Sequence, residues 1–133
     1  MIYTPVYAGL LTLLFVFLSM RVITMRHQAR VGFGDGGNRR LLRRLRVHAN
    51  FAEYVPLCLL LMALIELQNG PAWILHLTGL LLLAGRSVHA YGVSREPEVG
   101  KLRVIGMALT FTALIVAALT NLSLAPLPSG GLG

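Results

Sequence analysis

Charge is what this chain has least of. Only 13% of its 133 residues are Asp, Glu, Lys or Arg, against about 25% in soluble domains. Hydrophobic residues make up 56%, and the mean hydropathy is +0.71. A soluble domain this small cannot hide so much apolar surface from water, which excludes an ordinary globular fold and a disordered chain alike. Cysteine is reduced to Cys58, so there is no internal disulfide and no cysteine-based zinc site. Cys58 follows Pro56 in apolar surroundings, where a thiol stays protonated and inert, and it reads as packing. There is no Gly-Lys-Ser/Thr phosphate loop, no Ser-His-Asp candidate and no His–carboxylate spacing suited to a metal.

What is present is a series of apolar runs. Spans are expected at about 3–25, 46–68, 71–93 and 104–125, each near the ~20 residues a helix needs to cross a bilayer. Lipid offers the backbone no hydrogen-bond partner, so these must be helices. The expected fold is an all-α integral membrane protein: a single-domain bundle of four transmembrane helices. The first span lacks a basic leader and is followed by Arg21 and an arginine-rich stretch, so it reads as a retained helix rather than a cleaved signal. Pro126, Pro128 and 130–133 form a tail with nothing to order it.

The twelve basic residues outnumber the five acidic ones, and their placement accounts for the excess. Arg26, Arg30, Arg39, Arg40, Arg43, Arg44 and Arg46 lie between the first two spans, with Arg21 just before them. Arg86, Arg95, Lys101 and Arg103 surround the connection between the third and fourth spans. The N-terminus, the 68–71 link and the tail carry none. The positive-inside rule therefore puts the first and third loops in the cytoplasm and both termini outside. Charge explained by topology is no argument for nucleic acid, and no nucleic-acid partner is expected. Gly32-Phe-Gly-Asp-Gly-Gly37 spells G-x-G-x-x-G, but a membrane helix precedes it and no βαβ unit surrounds it. It reads as a flexible connection.

Polar residues inside the spans carry the chemical information. On a helical wheel Asn50 lies about 40° from Arg46, and Glu53 about 20° to the other side, so the three share a face that Tyr54 flanks. Glu53 sits about 10 Å deeper than Arg46. An ionised group at that depth costs at least ~2.5–3.5 kcal/mol, so it should face protein, a cavity or a ligand. Pro56 deprives the Ala52 carbonyl of its helical donor. The alternative for this face is structural: Arg46 anchors at the headgroups while Asn50 and Glu53 bond to neighbouring helices. His48 lies about 160° from Asn50 and stands apart. Arg86 and His89 are i, i+3 neighbours in the third span, followed by Tyr91, while Arg26 and Arg30 are i, i+4 at the end of the first. Cationic groups from three spans thus gather at one end of the bundle. They suit an anionic ligand bearing carboxylates, or else anionic lipid headgroups.

The register Arg46-x-x-x-Asn50-x-x-Glu53-Tyr54-x-Pro56 resembles the second-helix signature of the MAPEG family, the membrane-associated proteins in eicosanoid and glutathione metabolism. The loop Gly34–Asn38 and His89-Ala-Tyr91-Gly92 are similar to its bacterial branch. The resemblance covers nearly the whole chain. It implies a homotrimer with glutathione bound between subunits near the cytoplasmic face. By position it implies Arg46, Asn50, Glu53 and Tyr54 as glutathione-binding residues, with His48 where relatives often carry Gln, and Arg26 and Arg30 from the first helix. Arg86, His89 and Tyr91 are further expected ligand-binding residues. Family tyrosines of the third helix align with His89 and Val93 here. Arg103 is the nearest match to the arginine that stabilises the thiolate, and so the expected catalytic residue.

Two functions follow as expectations. One is a glutathione-dependent transferase or peroxidase acting on hydrophobic small molecules dissolved in the bilayer, with glutathione as cosubstrate and no metal. The other is a non-catalytic ligand-binding or scaffold protein of the same fold. A small transporter would use Glu53, but it would call for inverted symmetry or a midplane site, whereas these polar residues gather near one face.

Overall fold

The computed structural model describes residues 1–126. Four helices follow in chain order: α1 (Thr4–Ala29), α2 (Arg39–Leu67), α3 (Ala72–Ser94) and α4 (Gly100–Leu124). Of these, α1, α2 and α4 are each long and apolar enough to cross a membrane. The 23-residue α3 is of similar length but carries His76, Arg86 and His89 along it. The expected tail at Pro128 and 130–133 lies outside the described residues.

The helix limits differ from the apolar runs where charge and helix part company. α1 continues to Ala29 and α2 starts at Arg39, because arginine is a good helix former even though it ends a hydrophobic run. Only residues 30–38 separate the two helices. Arg30 turns left-handed at φ 55° to stop α1. Gly34, Gly36 and Gly37 also take positive φ, the Asp35 carboxylate accepts the Gly37 N–H at 2.9 Å, and the Asn38 side chain caps α2 by accepting the Leu41 N–H at 3.0 Å. The glycine run expected as a flexible connection is a built turn. α2 continues through Pro56.

α2 and α3 pair through a short link in which Asn69 takes φ 57° and the Gly70 N–H bonds the Ile65 carbonyl. α1 packs on α2 and touches α3, α4 packs on α3 and α2, and α1 does not meet α4. The α3–α4 seam is the closest. A Cβ on Gly106 would stand 2.6 Å from the His89 main-chain nitrogen, and one on Gly85 2.9 Å from the Gly106 carbonyl. Small residues let backbones approach this way where no hydrophobic effect draws helices together in lipid. The core runs along α2, from Leu41 through Val47, Phe51, Val55 and Cys58 to Met62 and Ile65, all buried. Leu13, Phe17, Leu60, Leu80, Ile115 and Leu119 point outward, as lipid-facing side chains do. The α1 N-terminus is closed from another helix: Glu66 accepts the main-chain N–H of Ile2, of Tyr3 at 2.8 Å and of Thr4 at 2.7 Å.

Candidate functional site

The first half of α2, the end of α3 and the first half of α4 enclose an open groove of about 780 Å³. Arg39, Arg43, Arg46 and Asn50 contribute from α2, His89 and Val93 from α3, Glu98 from the loop before α4 and Arg103 from its first turn; Met107 and Phe111 form an apolar wall deeper in. Polar residues at one end and apolar ones further in make an amphipathic slot, the usual build of a small-molecule site.

Arg86 sits behind this slot. It is 2% exposed and no carboxylate pairs with it among the described residues. Its guanidinium donates twice to the Thr110 hydroxyl, at 3.0 and 2.8 Å, and once to the Asn50 side-chain oxygen, with Met107 Sδ at 3.3 Å. The Tyr54 ring stands 5.9 Å from the guanidinium carbon and packs edge-on against Phe111. Guanidinium has only donors, so Asn50 must turn its oxygen to Arg86 and leaves its NH₂ for other partners. The groove side of Asn50 is therefore a donor.

Outside that pocket wall the charges divide unevenly. Glu98 pairs with Arg103 at 3.2 Å and Arg43 at 3.7 Å. Arg39 and Arg46 have no carboxylate partner among the described residues. The groove therefore carries an excess of positive charge and of donors, which suits a ligand rich in carboxylate or carbonyl oxygens.

Four of the residues expected from sequence meet in this groove: Arg46, Asn50, His89 and Arg103 line it. Arg86 and Tyr54 buttress it. Glu53 is exposed on the surface of α2, with no hydrogen bond or ion pair among the described residues. His48 is turned the other way, bonded to Ser19 at 3.0 Å and stacked on Phe15 at 4.7 Å, so it ties α2 to α1. Arg26 donates to the carbonyls of Val31 and Gly34, at 3.3 and 2.8 Å, and with Arg30 borders a separate hollow beside α1. Tyr91 is 54% exposed, its hydroxyl accepting from Arg95 at 2.6 Å, and it lies outside the groove. His76, without a visible partner in the sequence, bonds the Tyr7 hydroxyl through Nδ1 at 2.8 Å.

Glu98, Arg39, Arg43, Met107 and Phe111 in the groove lining, and Thr110 behind it, are the members that sequence reasoning missed. Thr110 lies in a run without ionisable groups, and its one available signal is Gly106 a turn before it, which brings α4 against α3.

The MAPEG family model matches residues 4–123. Inner membrane protein YecN of Escherichia coli strain K12 is 38% identical over 119 residues, covering 90% of this chain and 89% of its own length. The protein of the same name from E. coli O6:H1 strain CFT073 matches to the same extent. No solved structure matches.

Proposed function

Because the chain belongs to the MAPEG family, we propose that it is an integral inner-membrane, glutathione-dependent transferase or peroxidase acting on hydrophobic electrophiles. The observation that carries this reading is the groove itself, with unpaired Arg46 and the outward NH₂ of Asn50 at its polar end and Met107 and Phe111 further in. The guanidinium and the amide are donors for the carboxylate and carbonyl oxygens of the tripeptide. The exposed Glu53 carboxylate, one turn further along the same face, is the acceptor for its ammonium. The apolar wall adjoins the bilayer, from which an electrophile would enter.

The chemistry then belongs to glutathione. A thiol of pKa about 8.5 is only a few per cent ionised at neutral pH, and each unit by which a fixed cation lowers it is worth about 1.4 kcal/mol. Arg103 is the groove cation assigned that role, while Arg46, Asn50 and Glu53 hold the peptide. The thiolate attacks the electrophilic carbon, the C–S bond forms, and the leaving group departs with the displaced electron pair.

A homotrimer belongs to the same reading. Glu53 on a lipid-facing helix surface is costly, and a neighbouring copy would cover it. Arg26 and Arg30 border a different face of the chain from the groove. A ring built head to tail joins two such unlike faces at every interface, which brings α1 of one copy to the groove of the next. All four helices span the membrane in this arrangement, with the arginine-bearing ends in the cytoplasm.

One observation favours the second reading, a binding protein without catalysis: Arg103 is half-exposed and already paired with Glu98. Calorimetric titration of glutathione into detergent-purified protein tests the site, run beside the double variant Arg46→Ala/Glu53→Gln. Binding that disappears in the variant supports the pocket, and turnover of model electrophiles then separates enzyme from binder. No binding by folded wild type would overturn both readings of the groove.

A further inference from the structure

A second cluster of arginines lies beside the groove and shares one member with it. Arg21 from α1, Arg40, Arg43 and Arg44 from the first turns of α2, and Ser94 and Glu96 from the end of α3 and its following loop enclose a pocket of about 240 Å³. Only Arg43 also borders the groove. Four guanidiniums thus face one carboxylate, which Arg40 meets at 3.3 Å and Arg43 at 3.8 Å. Arg43 is further drawn to the Val93 carbonyl and to Glu98.

Among the described residues, the remaining two arginines are held without a counter-charge. Arg44 donates to the main-chain carbonyl of Arg21 at 2.9 Å, and Arg21 donates to the Ser94 hydroxyl at 2.9 Å. Both are half-buried, so solvent screens them less than it would at an open surface. Topology alone asks for basic residues on this side of the membrane; it does not ask that arginines from two helices converge on one hollow, where like charges repel. An anion in the hollow would relieve that repulsion. Eleven of the twelve basic residues are arginine, whose planar fork bonds phosphate oxygens in pairs.

We propose that this pocket is a phosphate-binding site, taking the phosphate of an anionic lipid headgroup or of a soluble phosphate compound at the cytoplasmic end of the bundle. Glu96 competes with the ligand for Arg40 and Arg43, and it swings aside when the ligand enters. Apart from Arg43 the site shares no lining residue with the groove, and it calls for no glutathione chemistry.

The test uses full-length protein in detergent. Native mass spectrometry reads the retention of added phosphatidylglycerol against phosphatidylcholine, and thermal unfolding reads stabilisation by inorganic diphosphate. Wild type should respond to at least one probe. Arg21→Gln/Arg44→Gln should bind that probe at least tenfold more weakly, since a hydrogen bond to a charged group is worth about a decade or more in affinity. Arg95→Gln, which removes an arginine of the same end that bonds Tyr91 instead, should bind as wild type. Glu96→Gln should bind more tightly, and this gain keeps the test open if the double variant unfolds. Preference for phosphatidylglycerol without a response to diphosphate identifies a lipid headgroup, and the reverse identifies a soluble ligand. No response by wild type, an equal loss in Arg95→Gln, or no gain in Glu96→Gln would overturn the site.

Discussion

The Arg86 guanidinium on α3 donates to the side-chain oxygen of Asn50 on α2, and this one bond sets what the groove can recognise. With its oxygen committed, Asn50 offers its NH₂ to the groove. Arg86 needs Asn50 in turn, because its only other hydrogen-bond partners among the described residues are Thr110 and the weak acceptor Met107 Sδ.

Asn50→Leu should therefore destabilise the protein by about 1–3 kcal/mol, the cost of leaving a buried donor unmet. Asn50→Asp keeps an acceptor for Arg86, so its melting temperature in detergent should stay closer to wild type. It places a carboxylate beside the groove, however, and glutathione affinity by calorimetry should fall at least about tenfold.

The α3–α4 seam predicts a sharp contrast between two glycines. Gly106→Ala drives a methyl group to 2.6 Å from the His89 main-chain nitrogen, and backbone cannot give way as a side chain can. Thermal unfolding should show a loss of about 1–3 kcal/mol, as for overpacked cores. Gly9→Ala has no neighbouring atom within 4 Å and should be neutral or gain up to about 1 kcal/mol from helix propensity.

Glu66→Ala removes the acceptor for three amide groups at the start of α1. The expected loss is about 0.5–2 kcal/mol, as for a deleted helix cap. Hydrogen exchange at the Tyr3 and Thr4 amides should rise far more than exchange in the middle of α1, which distinguishes local fraying from global destabilisation.

Glu98→Gln releases Arg103 and Arg43 into the groove. Glutathione should then bind about two- to fivefold more tightly, in keeping with the small worth of exposed ion pairs. On the proposed transferase reading, Arg103→Ala lowers turnover more than binding and shifts the pH–rate profile toward higher pH, since that reading sets Arg103 beside the thiolate. An unchanged profile would remove Arg103 from the thiolate role.

Helix number and the Arg46–Asn50 part of the polar face of α2 were legible in the sequence, whereas Glu53, expected to face protein, a cavity or a ligand, is exposed on α2 and outside the groove lining. The first follows from the cost of unpaired backbone in lipid, and the second from the 3.6-residue repeat that lines up Arg46 and Asn50. Helix ends were not, because hydropathy marks where apolar residues stop, whereas α2 begins where Asn38 caps it. His48, Tyr91, Arg26 and Arg30 show the limit of the method at the site. Each is polar, near the right end and open to a ligand role on spacing alone, yet His48, Tyr91 and Arg26 bond partners outside the groove and Arg30 borders a separate hollow.

What the sequence by itself determined is local: which runs become helices, which residues share a helix face, and which end of the bundle collects positive charge. These depend on neighbours along the chain. Only the tertiary structure decided that Thr110 and Asn50 share Arg86, that Glu98 occupies Arg103, and that Arg21 stands beside Arg44. Those outcomes depend on how closely α3 and α4 approach across Gly85 and Gly106, and on the rotation of each helix about its axis. Helical periodicity places side chains relative to their own helix, but packing alone turns that helix toward its neighbours.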